Sequence, residues 1–139
     1  MVDTKSKIYY SWGEIEELVE LLCLQIVKSG IQIEYIFGLQ RGGLIPAVML
    51  SHKLGIPMTQ NPNSPNVLVV DDICDSGETF HEFFLEYPKA KFACLHFKPY
   101  TSHFNPDFSA NKFFSDDWIV YPWEREDSET IQDYLKIKK

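Results

Sequence analysis

Cysteine, basic charge and long apolar runs are all scarce in this chain of 139 residues. The three cysteines are an odd number without C-x-x-C spacing, which disfavours a disulfide framework and indicates reduced thiols. Lysine and arginine number 13 against 20 acidic residues, so a net charge of -7 does not favour a nucleic-acid surface. No run approaches a membrane span, and the N-terminal stretch lacks the apolar core of a signal peptide. We therefore expect a cytoplasmic protein without integral membrane association.

Metal-ligand spacing and sequence repeats are also missing. The 4 histidines are scattered, so the sequence predicts no zinc site built by the protein alone. We find no internal repeat and no low-complexity segment. Apolar residues make up 45% of the chain, enough for a substantial core at this length. We therefore expect residues 1–139 to form a single domain.

The most informative stretch is residues 67–80, VLVVDDICDSGETF. Its first four residues are apolar without alternation, as is typical of a central parallel strand covered on both faces. In open α/β sheets, ligands bind beyond the carboxyl ends of strands, and this strand leads into Asp71 and Asp72. The turn at 75–79 then offers hydroxyls, backbone N–H groups and a glycine before a predicted helix at 80–87. Such a turn at a helix start predicts a phosphate site.

Two carboxylates beside a phosphate site would repel an anion unless they meet hydroxyl groups or a metal ion. A sugar phosphate with free hydroxyls and bound Mg²⁺ satisfies both halves of this motif. One competing interpretation is a chance acidic pair followed by an ordinary helix cap at Ser76 or Thr79. A response-regulator receiver is excluded, because residues 73–97 have room for only one helix and one strand.

Two further strand-to-turn junctions carry cations. A predicted strand at 35–37 runs into Arg41-Gly42-Gly43, where paired glycines let backbone amides approach an anion and Arg41 supplies positive charge. A predicted strand at 92–97 leads into Lys98. Alternating strands and helices with short links predict an α/β fold with a mainly parallel sheet. Such a sheet would bring Arg41, Asp71 and Lys98 to one edge.

The remaining elements follow from periodicity and turn signals. Residues 11–14 form a capping-box pattern at the start of an amphipathic helix that Gly30 ends. A second helix is predicted at 44–54. Residues 56–66 indicate a short strand and a turn-rich connection, 99–112 a loop, 113–123 an edge strand, and 128–137 a final short helix.

Several motifs in the same order resemble the type I phosphoribosyltransferases, most closely the bacterial xanthine-guanine type. They are Tyr9 to Trp12, RGGLIP at 41–46, the stretch at 67–80, YPKAKF at 87–92, Lys98-Pro99 and DDWIVYPWE at 116–124. The resemblance implies an α/β sheet flanked by helices, and transfer of ribose 5-phosphate from phosphoribosyl pyrophosphate (PRPP) to a 6-oxopurine (guanine, xanthine or hypoxanthine). It further implies pyrophosphate release, a role in purine salvage, Mg²⁺ as cofactor, and a homodimer or homotetramer.

The resemblance also implies roles for individual residues. The 5′-phosphate would lie in the loop of Asp75, Ser76, Gly77, Glu78 and Thr79. The ribose hydroxyls would meet Asp71 and Asp72, with Asp72 near Mg²⁺, and the pyrophosphate would face Arg41 and Gly42. The bond between Gln40 and Arg41 is one that can be a cis peptide in this family. The purine would contact Asp75, Lys98, Trp118 and Ile119, with Asp75 as the catalytic residue, either a proton acceptor or an electrostatic stabiliser.

One segment departs from the family pattern. Between the helix at 44–54 and the strand at 67, the family carries a long mobile hood with a Ser-Tyr pair and a basic residue. Residues 56–66 contain no lysine, arginine or tyrosine, so this hood is largely missing. Because closure of such a segment excludes water, the alternative to an enzyme is a catalytically weak or inactive PRPP- or nucleotide-binding regulatory protein on the same fold. Glu78 also replaces a glycine common among the close relatives.

Overall fold

A computed structural model describes residues 6–124 of the chain. It confirms an α/β architecture, in which helices and strands alternate along the sequence. The predicted helix at 128–137 lies outside the described residues. The elements are β1 (Lys7–Tyr9), α1 (Trp12–Ser29), β2 (Tyr35–Gly38), α2 (Leu44–Leu54), β3 (Val67–Cys74), α3 (Glu78–Glu86), β4 (Lys91–Phe97), β5 (Phe108–Lys112) and β6 (Trp118–Val120).

The main sheet has four parallel strands in the order β2-β3-β4-β5, as the alternation of elements predicted. In its register Gly38 pairs with Val70, and Asp71 pairs with Cys94. All four carboxyl ends therefore meet at one edge, where the chain turns into its polar loops. A second sheet joins β1 to β6, also in parallel, with Ile8 paired to Ile119.

Helices cover both faces of the main sheet, which explains the continuous apolar run of β3. Leu68 and Val70 pack into a core formed with α1 and α2, whereas Val67 and Val69 pack into a second core that includes Phe80 of α3. Successive side chains of a strand point to opposite faces, so a strand buried on both sides needs apolar residues at every position.

The first helix forms as its sequence predicted. Ser11 caps it, Glu14 completes a reciprocal capping box, and Gly30 ends it in the left-handed conformation with φ of 70°. Its buried stripe is the periodic apolar set Ile15, Leu18, Val19, Leu22 and Ile26. No helix within residues 6–124 has the length and apolar character needed to cross a membrane.

Several boundaries differ from the sequence-based expectation. The strand β3 continues through the acidic pair to Cys74, and α3 begins at Glu78 rather than at Phe80. The loop predicted at 99–112 was wrong in its last part, because residues 108–112 form β5, a polar strand held by pairing with β4. The strand predicted within 56–66 is only an isolated bridge between Met58 and Ile36.

Candidate active site

A cavity of about 160 Å³ opens at the carboxyl edge of the main sheet. Three parts of the chain line it: the end of β3 with the loop that follows, the residue after β4, and the region of β6. The lining residues are Asp71, Ile73, Cys74, Asp75, Ser76, Gly77, Thr79, Phe80, Lys98, Trp118, Ile119 and Tyr121. The fold thus brings the predicted phosphate loop and the predicted purine-binding residues to one cavity.

The loop at 75–79, which the sequence predicts to bind a phosphate, leads directly into a helix. Gly77 lies directly before α3 with φ of 81°, a conformation that glycine adopts without a steric cost. The helix therefore begins inside the loop, so its first N–H groups lie at the cavity. Ser76 and Thr79 add hydroxyl groups, while Glu78 is exposed and does not line the cavity.

A second segment, residues 101–104, packs against this loop. The backbone N–H of His103 donates to the carbonyl oxygen of Ser76 at 2.8 Å. A Cβ atom added to Gly77 would lie 2.5 Å from the Ser102 hydroxyl and 2.9 Å from the backbone nitrogen of Phe104. Residues 102–104, which follow β4, therefore pack against the phosphate loop and support its conformation.

Asp71 and Asp72 lie side by side and are both buried. Burial, and then the charge of Asp72, raises the pKa of the Asp71 carboxyl well above its usual range, and burial also raises the pKa of Asp72. Asp71 lines the cavity, whereas Asp72 faces Gly42, where an added Cβ would collide with the carboxylate. Two crowded carboxylates of this kind favour a bound cation or hydroxyl donors.

This acidic pair fits Mg²⁺ bound together with a substrate. Within residues 6–124 no cluster of three or more histidine, cysteine or acidic side chains could hold a metal by itself. Mg²⁺ often uses only one or two protein carboxylates and takes its other ligands from water and substrate phosphates. The family resemblance implies that Asp72, whose buried carboxylate lies next to the glycine turn, would hold such an ion.

The turn after β2 lies at the same sheet edge. The peptide bond between Gln40 and Arg41 is cis, as the family resemblance implied. Arg41 is exposed, and neither Arg41 nor Gly42 lines the cavity. An added Cβ on Gly43 would collide with the carbonyl oxygen of Val70, so the turn packs directly on the backbone of β3.

Lys98 is a buried cation at the cavity. Its Nζ lies 3.7 Å from Oδ2 of Asp75, 3.4 Å from the carbonyl oxygen of Asp117, and 5.7 Å from the centre of the Phe113 ring. Only 11% of its side chain is exposed, so water screens its charge weakly. The ammonium is therefore positioned to donate to an acceptor on a ligand in the cavity.

Trp118 and Ile119 reach the cavity from β6. Pairing of β6 with β1 fixes their place, since Lys7 lies beside Trp118 and Ile8 beside Ile119. Trp118 is half-buried and offers an aromatic face at the cavity, whereas Ile119 is buried. An aromatic face and a lysine are suitable partners for a planar heterocycle with an exocyclic oxygen.

Tyr121 lines the cavity but received no role in the sequence analysis. Its hydroxyl donates to the backbone oxygen of Asp72 at 3.2 Å and lies 2.8 Å from Nδ1 of His96. Both side chains are buried, and burial, followed by the charge of Lys98, lowers the pKa of His96 to about 4. The one sequence feature that could have indicated a role for Tyr121 is its position within the motif at 116–124.

Comparisons with known proteins agree with this geometry. No family model matches the chain. The chain is 27% identical to a xanthine-guanine phosphoribosyltransferase from Gluconobacter oxydans, with 87% of this chain and 88% of that protein covered. A solved protein from Neisseria gonorrhoeae with bound ppGpp has a TM-score of 0.75 and 25% identity, covering 91% of this chain and 93% of that one.

The fold is also similar to that of a purine phosphoribosyltransferase from Pyrococcus horikoshii. That structure is 30% identical, has a TM-score of 0.73, and covers 91% of this chain and 98% of its own. Similarity in sequence and in fold thus extends over nearly the whole chain. The chain belongs to the purine phosphoribosyltransferases of the type I fold.

Proposed function

We propose that the protein transfers ribose 5-phosphate from PRPP to a 6-oxopurine, namely guanine, xanthine or hypoxanthine, and releases pyrophosphate. The observation that carries the proposal is the shared cavity, in which the phosphate loop at 75–79 meets Lys98 and Trp118. A site for PRPP alone would have no use for a buried lysine and an indole ring. We also propose a role in purine salvage within the cytoplasm, by a homodimer or homotetramer.

The proposed substrate contacts combine residues that line the cavity with others at the same edge of the sheet. The loop of Asp75, Ser76, Gly77, Glu78 and Thr79 would bind the 5′-phosphate at the start of α3. Asp71 and Asp72 would accept hydrogen bonds from the ribose hydroxyls, and Arg41 and Gly42 would face the pyrophosphate. Lys98 would donate to the 6-oxo group of the purine, Trp118 would stack on the ring, and Ile119 would present its backbone to the base edge.

The chemistry requires charge stabilisation more than covalent participation by the protein. Departure of pyrophosphate from the anomeric carbon leaves a sugar with oxocarbenium character, so the enzyme must stabilise the leaving group and position the purine. Mg²⁺ held near Asp72 would supply positive charge to the pyrophosphate oxygens. Asp75 would accept the proton that the attacking purine nitrogen loses, or stabilise the cationic sugar.

A second candidate function is a nucleotide- or PRPP-binding regulatory protein with little or no turnover. The short segment at 56–66 supports it, because a hood that excludes water from the reaction is largely missing. The Neisseria relative adds support, because its structure contains bound ppGpp. Such a protein would bind a nucleotide in the same cavity, and nucleotide binding would regulate its interaction with a partner.

Pyrophosphate release from PRPP and Mg²⁺ separates these functions. Guanine, xanthine, hypoxanthine and adenine are added singly, with a reaction lacking purine as the control. We expect release that depends on a 6-oxopurine and little stimulation by adenine, whose amino group offers Lys98 no acceptor at that position. If no purine stimulates release while PRPP or a purine nucleotide still binds, the regulatory function replaces the enzyme.

The role of Asp75 has its own arm of this experiment. We expect Asp75→Asn to retain PRPP binding while turnover falls by ~10²-fold or more, as for a lost general base. The amide keeps the size of the carboxylate but neither accepts a proton at neutral pH nor carries a negative charge. Unchanged turnover would remove Asp75 from the mechanism.

A further inference from the structure

The hydroxyl of Thr101 contacts the Asp75 carboxylate. Its Oγ1 lies 2.7 Å from Oδ1 of Asp75, 3.0 Å from the backbone oxygen of the same residue, and 3.5 Å from the carbonyl oxygen of Lys98. A threonine hydroxyl has one proton to donate, and the shortest of these contacts is to the charged acceptor. Thr101 therefore donates to one specific oxygen of the carboxylate.

The other carboxylate oxygen faces Lys98, with Nζ and Oδ2 separated by 3.7 Å. The Asp75 side chain is 54% exposed, so packing alone does not fix its orientation. The two contacts together hold both oxygens and thereby set the plane of the carboxylate. Only Oδ2 is directed towards the cation and the proposed purine site.

Thr101 is itself held on a fixed support. Its own N–H and that of Ser102 donate to the carbonyl oxygen of Lys98, at 3.3 and 3.0 Å, which closes a tight turn after β4. Two residues later, His103 donates to the carbonyl oxygen of Ser76. The turn thus ties the threonine hydroxyl to both Lys98 and the phosphate loop.

We propose that Thr101 is a positioning residue for Asp75. Its hydroxyl occupies Oδ1, so that Oδ2 is the oxygen left to accept a proton or to face the cationic sugar once Lys98 engages the purine. This inference rests on the role that the proposed function gives to Asp75. Thr101 lies in the turn after β4 and would act on the reaction through Asp75, without touching the substrate itself.

The test replaces the hydroxyl by a methyl group of similar shape, Thr101→Val. We expect kcat to fall about tenfold, which corresponds to ~1.4 kcal/mol, while the affinity for PRPP stays within twofold of the unsubstituted protein. Thr101→Ser should restore most of the turnover, because it keeps the donor. Thr59→Val is the matched control, since it removes a hydroxyl whose contacts, the Ser64 hydroxyl and the backbone N–H of Asn61, both lie in the connection at 56–66, and it should leave kcat unchanged.

A double-mutant cycle with Asp75→Asn shows whether Thr101 acts through the carboxylate. We expect Thr101→Val to cost almost nothing in the Asp75→Asn background. An equal loss in both backgrounds, a loss of PRPP affinity, or unchanged kcat in Thr101→Val alone would overturn the inference. An inactive unsubstituted protein would refute the proposed function together with this inference, whereas an active one with an unaffected Thr101→Val variant would refute the inference alone.

Discussion

At the scale of single residues, Gly77 combines a left-handed backbone with a crowded position for any side chain. Its φ of 81° lies in the left-handed region, where a side chain is strained. An added Cβ would also press on the Ser102 hydroxyl and the backbone nitrogen of Phe104, which support the phosphate loop. Any larger residue must therefore displace either the loop or its support.

We predict that Gly77→Ala weakens PRPP binding by at least tenfold, because the shifted loop no longer directs its N–H groups at one phosphate. Isothermal titration with PRPP and Mg²⁺ measures the change. Gly30→Ala is the matched control: its φ is 70°, but nothing lies within 4 Å of the added Cβ and the residue ends α1. Both variants should lose ~1–2 kcal/mol of unfolding free energy from backbone strain. Equal PRPP affinity in the two variants would contradict the prediction.

The residues of the site differ in how well the sequence reveals them. Asp71, Asp75 and Lys98 lie at or just after the ends of strands in the parallel sheet, so topology alone brings them together, whereas Trp118 begins β6 of the second sheet. Thr101 does not have that property, because its contact with Asp75 depends on the path of a turn that no periodicity describes. The same holds for the contact of Tyr121 with the backbone of Asp72.

At the scale of secondary structure, the strands that are buried on both faces are the ones that can be predicted from the sequence. The central strands β3 and β4 are covered on both faces and read as apolar runs. Strand β5, with the sequence FSANK, is largely polar, and only Phe108 is fully buried. Its strand conformation comes from pairing with β4, a tertiary interaction that local propensity does not encode.

His96 shows the cost of a polar residue inside β4. The side chain is fully buried, its Nδ1 lies 2.8 Å from the Tyr121 hydroxyl, and its Nε2 has no hydrogen-bond partner within the described residues. The rings of Tyr10 and Phe113 pack against it. A proton added to this ring would bring a charge into an apolar environment beside the ammonium of Lys98.

We predict that His96 makes stability depend on pH. Its pKa of about 4 in the folded protein lies below the 6.5 of the unfolded chain, so between these values the unfolded state binds more protons. Stability from the neutral ring is therefore present above pH 6.5 and is lost as the pH falls towards 4. Over this window the stability difference between the unsubstituted protein and His96→Gln should change by about 3 kcal/mol in favour of the variant.

Urea unfolding at several pH values measures this difference. The contribution of the acidic pair, which has the opposite sign, cancels because both proteins contain it. His52→Gln, at an exposed position of α2, is the matched control. A stability difference for His96→Gln that does not change with pH would show that the His96 ring does not titrate below its ordinary range.

At the scale of the whole molecule, the parallel sheet has the cavity at the carboxyl ends of its strands and the connection at 56–66 near their amino ends. The connection at 56–66 packs at β2 and the start of β3, where Glu34 donates to Asn66 and Ile36 donates to Pro57. None of its residues lines the cavity at the opposite edge. The connection at 56–66, which is shorter than the hood of the family, therefore does not cover the cavity.

The acidic pair links the stability of the whole domain to its ligands. Burial, and then repulsion from the neighbouring carboxylate of Asp72, raises the pKa of Asp71, so the pair is costly in the ligand-free fold. Binding of a cation would offset the repulsion, so the ligand-free protein is destabilised at the place where PRPP and Mg²⁺ are proposed to bind. Sites that are strained without ligand commonly trade stability for function.

Asp72→Asn should therefore raise the unfolding free energy of the ligand-free protein at neutral pH by ~1 kcal/mol, about one pKa unit of relieved repulsion. In the unsubstituted protein, free PRPP at one hundred times its dissociation constant, with Mg²⁺, should stabilise by about 2.7 kcal/mol. The variant should lose the part of this gain that requires Mg²⁺, which comparison with PRPP in EDTA isolates. Glu16→Gln, an exposed charge removal on α1, should change neither quantity. If Asp72→Asn instead destabilises the ligand-free protein and keeps the Mg²⁺-dependent gain, the carboxylate is structural and the ion lies elsewhere.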